Sequence, residues 1–297
     1  MRESGPPPER FSGVERGERQ DRPVAQEPVA QEPDSHARKD PLHVASLEKA
    51  FRVMGAFSSG RRDLGITEIA EATGLTKSAA QRFVHTLTAL GYLERDEETR
   101  RYAPGIRLLD LGFLYLRHDA LAERASPFLV AASERCGERV NLSEFDGSDI
   151  VYTFRIPKRT MGYINTVVGR RLPAFATSGG RAVLAALPED EALRIVTQAE
   201  RKALTPRTVT DVDSIMAGVA DARRLGYAFT DSEILLGELA VAAAVLDHRG
   251  HPVGAVHISV SNGAWSEARV REDLAPLAME TAQTISRPGP STRRRRE

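Results

Sequence analysis

The sequence predicts an α+β chain with two folded units: a small helical unit closed by a β-hairpin, then a larger unit on an antiparallel sheet. Three observations predict it. Apolar residues recur at helical spacing through residues 44–90 and give way to a polar hairpin signal. A strongly apolar helical stretch follows at 105–118. Beyond it, alternating segments turn at Asp146-Gly147 and at Asp247–Pro252, with helical stretches between and after them.

Composition sets the outer limits. The 297 residues fit two domains, and a hydrophobic content of 41% supports real cores. No run reaches the roughly 18 apolar residues of a membrane span, and the first residues lack the apolar region of a signal peptide. The single cysteine, Cys136, excludes an internal disulfide and a cysteine-rich zinc site. A cytoplasmic protein without a bound cofactor is expected. A formal net charge of zero excludes a generally basic protein but not a local basic patch.

Residues 1–41 hold seven of the 17 prolines and the near-repeat "VAQEPVAQEP", so a disordered tail is expected there. Residues 288–297, ending in Arg293–Arg296 and Glu297, read as a second, basic disordered tail.

The first helix is placed at "HVASLEKAFRVMGAF", with Val44, Leu47, Phe51, Val53, Met54 and Phe57 apolar and Ser46 as its cap. "GITEIAEATG" gives a short helix starting near Thr67 and closed by Gly74. Thr76 is positioned as the N-cap of the next helix. Two short helices joined by a tight turn containing Gly form a helix-turn-helix. "YLERDEETRRYAP" adds a hairpin in the position of a wing.

The helix after Thr76 divides sharply. Phe83, Val84, Leu87 and Leu90 form a core stripe, while Lys77, Ser78, Gln81, Arg82 and His85 share another side without any acidic residue. In a helix-turn-helix this second helix enters the major groove of double-stranded DNA. Lys77 and Arg82 reach phosphate or guanine, Gln81 pairs with adenine, and Ser78 bonds either. Ala79 and Ala80 allow close approach, and Arg100 and Arg101 supply the wing. The bland reading of such a stripe is a solvated face, with His85 left as a surface residue. A winged helix also serves some proteins as a protein-interaction module.

From here the sequence resembles a known family. "SLEKAFRVMGAF…LGITEIAEATGLTKSAAQRFVHTLTALGYLERDEETRRYAPGIRLLDLG" is similar to the winged-helix domain of IclR-type transcriptional regulators. The likeness continues through "VGRRLPAFATSGGRAVLAAL" and "GYAFTDSEILLGELAVAAAVLDHRGHPVGAVHISV", covering about residues 43–287. It implies a winged helix-turn-helix at 42–104, a linker and dimerisation helix at 105–118 and an effector-binding domain of GAF-like fold at 119–287.

Leu108, Leu109, Leu111, Phe113, Leu114 and Leu116 crowd the linker, so part of its surface is expected on a second subunit. Packing within one chain is the alternative. The resemblance also implies a homodimer and leaves a dimer of dimers open.

In the second unit, strands are expected around Asp146-Gly147, through "GYINTVV" and around Asp247–Pro252. Helices are expected at 178–187, 189–199, 211–225 and 265–286. "RRLPAFATSGGRAVLAALP" carries the chemistry. Thr177-Ser178-Gly179-Gly180 opens a helix whose first N–H groups and dipole favour an anion, here a carboxylate. Tight packing is the other reason for those glycines.

By resemblance this loop is one wall of an effector pocket. Met161, Ile164 and Leu172 match its apolar wall. Thr230 and Ala240 match positions nearer the ligand's polar end, and His257 and Ser259 match two small hydroxyl-bearing positions. His257 replaces a small residue and Ala240 is not polar, which argues against a glyoxylate-like or pyruvate-like effector. "YTFRIPKRTMGYINTVVGRRLPAFATS" is more similar to regulators of aromatic-acid breakdown.

Two chemical readings compete. Ser178 lies at a strand-to-helix turn in "ATSGG", near the pattern of a hydrolase nucleophile elbow, with Asp231 and His251 or His257 following in order. Ala176 stands where that pattern needs glycine. His248, His251 and His257 suggest a metal only by composition, since two of them belong to a turn. Cys136 reads as a packed helix residue. Neither a catalytic residue nor a metal ligand is expected.

Overall fold

The structure, a computed structural model, describes residues 42–157 and 168–286. The expected tails and the expected strand carrying Met161 and Ile164 lie outside the described residues. Two compact units result. The first runs to Leu87 and takes up Arg95–Ala103; the second comprises Thr88–Glu94 and the chain from Pro104.

In the first unit α1 (Ala45–Gly55) and α2 (Ile66–Thr73) pack with the body of α3 (Lys77–Ala89). Val53, Ala56, Leu64, Ile69, Ala70, Ala80, Val84 and Leu87 form the buried interior. Ser46 is not a cap: it lies inside α1, and Val44 before the helix caps nothing with its side chain. Helix α2 starts at Ile66, one residue before Thr67, and the Gly65 N–H donates to the Glu68 carboxylate at 2.7 Å. Gly74 closes α2 with φ +63°, the left-handed conformation that glycine adopts without strain.

The apolar pattern of α1 was read too broadly. Val44, Leu47 and Phe51 are 58%, 57% and 55% exposed, because the core draws on the Val53 side of the helix. Leu90, expected in the α3 stripe, also lies exposed, since α3 ends before it.

The wing is the hairpin β1 (Leu93–Arg95) and β2 (Tyr102–Pro104). The Asp96 carboxylate accepts the N–H groups of Glu98 and Thr99 at 2.9 and 2.8 Å, which shapes the turn. Leu64 and Tyr102 exchange two backbone bonds of 2.9 Å, tying the hairpin to the residue before α2.

The second unit opens with α4 (Leu108–His118) and α5 (Ala120–Cys136). No α4 residue is buried; Leu109 and Phe113 are 69% and 62% exposed. Its sheet has six antiparallel strands in the order β5-β4-β3-β8-β7-β6. These are β3 (Arg139–Asp146), β4 (Asp149–Ile156), β5 (Arg171–Pro173), β6 (Ala228–Asp231), β7 (Glu238–Leu246) and β8 (Pro252–Ser261). Between β5 and β6 lie α6 (Ser178–Ala186), α7 (Glu189–Gln198) and α8 (Val212–Leu225). After β8, α9 (Glu267–Arg269) passes through a π turn, Val270–Leu274, into α10 (Ala275–Ser286).

Both faces of this sheet are covered. Val140, Leu142, Val241, Val256, Ile258 and Val260 pack with Ala125 and Leu129 of α5 and Leu277, Ala278 and Ile285 of α10. On the other side Ala228 and Ala242 meet a cluster from α6, α7 and α8, including Leu184, Val196, Ile215 and Val219. A buried pair anchors α6: Arg181 donates to both Glu233 oxygens at 2.7 and 2.8 Å and to the Phe175 carbonyl at 2.8 Å. Such a bidentate pair fixes orientation as well as charge.

Candidate functional site

Two sites emerge, one in each unit. In the first, Thr76 caps α3 by accepting the Ala79 N–H at 3.2 Å. Lys77, Ser78, Gln81, Arg82 and His85 are all exposed on α3, and no acidic residue occupies its first turn. Helical spacing of about 100° per residue puts these five within one continuous arc. Ala80 does not border that arc. It is fully buried, so its small size serves the core rather than close approach. Ala79 is half-buried and lines a groove between α1 and α3 with Ser46, Lys49, Arg82, Phe83 and Thr86.

The two wing arginines differ. Arg100 is exposed at the turn, with φ +56°. Arg101 turns back instead. Its Nε pairs with the Asp63 carboxylate, and its Nη2 donates to Glu68 at 2.7 Å and to the Asp63 carbonyl at 3.2 Å. Glu68 is the same carboxylate that holds the Gly65 N–H. Arg101 therefore braces the hairpin against α2 and is not the free cation expected from sequence.

The second site lies on the sheet face that carries α6. Register makes it explicit, because directly paired residues of adjacent strands share a face. One row across the strands reads Thr230, Ala240, Ser259 and Arg139; the next reads Ala228, Ala242, His257 and Asn141. Ser143 pairs with Ala255 in a third row, beside Tyr152 of β4. Thr230, Ser259, Arg139, Asn141, Ser143 and His257 are all buried. Leu172 of β5 is buried too, with Ile150 and Tyr152. The structure thus brings Thr230, Ala240, His257 and Ser259 together as the sequence suggested, and adds Arg139, Asn141, Ser143 and Tyr152.

The start of α6 sits directly on this face. A Cβ on Gly179 would lie 1.9 Å from Cε1 of His257, so imidazole fills the space that a side chain would need. Gly180 is equally constrained, since its Cβ would meet the Ala174 backbone at 2.2 Å. The Gly180 N–H already donates to Thr177 Oγ1 at 2.9 Å. Gly180 is therefore not the free donor expected. The donors that α6 leaves without an intrahelical partner are the N–H groups of Ser178 and Gly179.

His257 is 1% exposed, and its Nε2 lies 2.7 Å from Ser143 Oγ. Its ring centre is 5.1 Å from that of Tyr152. Burial disfavours the imidazolium and drops the pKa to about 3, so the ring is neutral at physiological pH. So weak a base is poorly matched to nucleophile activation. Asp231, the acid of the hydrolase reading, instead accepts from Ser232 Oγ at 2.7 Å and pairs with Arg207 at 2.8 Å. His248 and His251 are exposed near the β7–β8 turn, and Cys136 is half-buried at the end of α5.

Comparison with known proteins gives the class. The model of the IclR helix-turn-helix domain matches residues 46–97, and that of the bacterial transcriptional regulator IclR C-terminal domain matches residues 113–287. The chain belongs to the IclR family of transcriptional regulators, which bind DNA through the first domain and a small-molecule effector through the second.

The Pca regulon regulatory protein of Pseudomonas putida is 30% identical over 247 residues, spanning 83% of this chain and 84% of that protein. The p-hydroxybenzoate hydroxylase transcriptional activator of Acinetobacter baylyi is 27% identical, covering 82% of this chain and 91% of that one. Among solved structures, a Rhodococcus sp. RHA1 transcriptional regulator is 34% identical with a TM-score of 0.68, covering 82% of this chain and 97% of that one. These relatives are regulators rather than enzymes, and no helix among the described residues is long and apolar enough to cross a membrane.

Proposed function

We propose that this regulator binds a double-stranded operator as a homodimer and that a small carboxylic acid, more aromatic than aliphatic, sets its DNA affinity. The observation that carries the reading is the buried polar face of the sheet beneath the open end of α6. Burying so many polar groups is costly unless something satisfies them. The Ser178 and Gly179 N–H groups, the Ser178 hydroxyl and the α6 dipole suit a carboxylate. Leu172, Tyr152 and the neutral ring of His257 suit an aromatic body. The relative named for p-hydroxybenzoate hydroxylase supports an aromatic acid.

Lys77, Ser78, Gln81 and Arg82 read the major groove, and Arg100 contacts phosphate. The exposed apolar residues of α4, and Leu47 and Phe51 of α1 with Val44 just before it, supply self-association surfaces. The organisation is a DNA-binding region at 42–104, a dimerisation helix within 105–118 and an effector region at 119–287, in a cytoplasmic protein.

The test is a mobility shift on the DNA upstream of the gene, with and without a panel of aromatic and aliphatic acids. Replacing Arg82 or Gln81 with Ala should cost about 1–3 kcal/mol and relax sequence preference. Unchanged binding in both variants would defeat the placement of α3. A shift indifferent to every acid would defeat the effector class.

A further inference from the structure

We propose that the effector carries a second acidic group, and that Arg139 is the residue that selects for it. This rests on the carboxylate reading above and narrows it to dianions, of which aromatic or aliphatic dicarboxylates are the simplest.

Arg139 opens β3 and lies on the polar face, paired with Ser259 and one row from His257. Its side chain is 6% exposed. One nitrogen, Nη2, pairs with the Glu238 carboxylate. Two others, Nε and Nη1, are buried without a hydrogen-bond partner, as is Oδ1 of Asn141 in the next row. A guanidinium always carries its charge, so these donors cannot be silenced by losing a proton. Leaving them buried and unmet is costly, and a carboxylate is the group whose geometry they fit.

The surroundings point the same way. Arg155 and Arg170 lie close enough to interact with Arg139 and Tyr152, and Glu238 acts on all of these groups as well. Burial first, with repulsion from Arg139 as a further cause, makes both guanidiniums easier to deprotonate than usual. Three guanidiniums, those of Arg139, Arg155 and Arg170, therefore converge on the Tyr152 end of the face.

The spacing suits a molecule with two acidic ends. Gly179 sits over His257 with Ser178 next to it in sequence, and Arg139 is paired one row away. Two residues along a strand span about 7 Å. A monoacid satisfies one end and leaves the other positive and dry. A diacid meets both, with the apolar body lying across Tyr152 and His257.

The experiment is titration calorimetry on the full chain with matched acids: benzoate against terephthalate, and hexanoate against adipate. The wild-type protein should bind the diacid of the responsive pair about tenfold tighter or more. In Arg139→Gln that ratio should fall towards one, while Arg139→Lys, which keeps a charge but loses the fork, should retain part of it. Thermal melts identify a variant that fails to fold; the wild-type ratio and Arg139→Lys then carry the test. Equal affinity for the two acids, or an undiminished ratio in Arg139→Gln, overturns the inference and leaves the carboxylate reading standing. If no acid of either kind binds, both readings fall.

Discussion

Arg100 and Arg101 are neighbours with separate fates, and the wing is where their difference can be measured. Arg100→Asn, which tolerates the left-handed backbone, should weaken binding to all DNA sequences and lower the salt slope by about one. Arg101→Ala should instead lower the melting temperature, because it frees the hairpin from Asp63 and Glu68. If the two variants exchanged these behaviours, the assignment of brace and phosphate contact would be reversed. The cap at Thr76 and the polar arc of α3 were legible because local rules decide them. The fate of Arg101 was not, since its partners lie 33 and 38 residues away in sequence.

His257 makes a second measurement possible at this scale. Its folded pKa of about 3 lies well below the ordinary imidazole value of 6.5. Above pH 6.5 neither folded nor unfolded chain carries the proton, and the ring adds no pH dependence. As pH falls from 6.5 towards 3, the unfolded chain takes up a proton that the folded one refuses, so stability is lost at up to about 1.4 kcal/mol per pH unit. Urea titrations at pH 7 and pH 5 should therefore show a larger drop for the parent than for His257→Asn. Equal drops would mean that the imidazole is not held neutral.

At the level of elements, the seat of α6 on β8 is the feature the proposed effector site depends on. Gly179→Ala should cost about 1–3 kcal/mol by overpacking against the imidazole. Adding His257→Ala should recover most of that loss, a coupling readable in a double-mutant cycle. Additive losses would show that the Cβ meets something else. The sequence showed β3, β4, β7 and β8 by their alternation but not the short β5 and β6, and Arg139, Asn141 and Ser143 were not recognised as buried. Alternation with polar residues ordinarily marks a solvated face. The one hint was Arg181 inside an otherwise apolar helix, which implies a buried partner and hence a covering role for α6. The outer limits of α6, α7 and α8 came within one or two residues of those observed, because their caps are local.

For the molecule as a whole, the exposed apolar side of α4 has no cover among the described residues of one chain. Phe113→Glu should convert the proposed dimer to a monomer in sedimentation experiments while leaving the melting temperature of the second unit nearly unchanged. Operator DNA should carry near-palindromic half-sites separated by whole turns, about 34 Å each. A footprint with one isolated half-site would contradict dimeric binding. The apolar character of this helix was plain from sequence; its exposure was not, because spacing alone does not say which apolar surface the rest of the chain covers.

Burial of the polar face also has a consequence in time. With His257, Asn141, Ser143 and Ser259 nearly sealed from solvent, a molecule cannot reach them by simple collision. If the proposed site is the one used, entry has to wait for the protein to open, so the observed association rate should level off as ligand concentration rises, at a ceiling common to chemically different ligands. Stopped-flow fluorescence from Trp265, the single tryptophan and one packed in the same unit, offers a direct reading. A rate that climbed linearly towards the diffusion limit would mean that the face stands open far more often than its burial indicates.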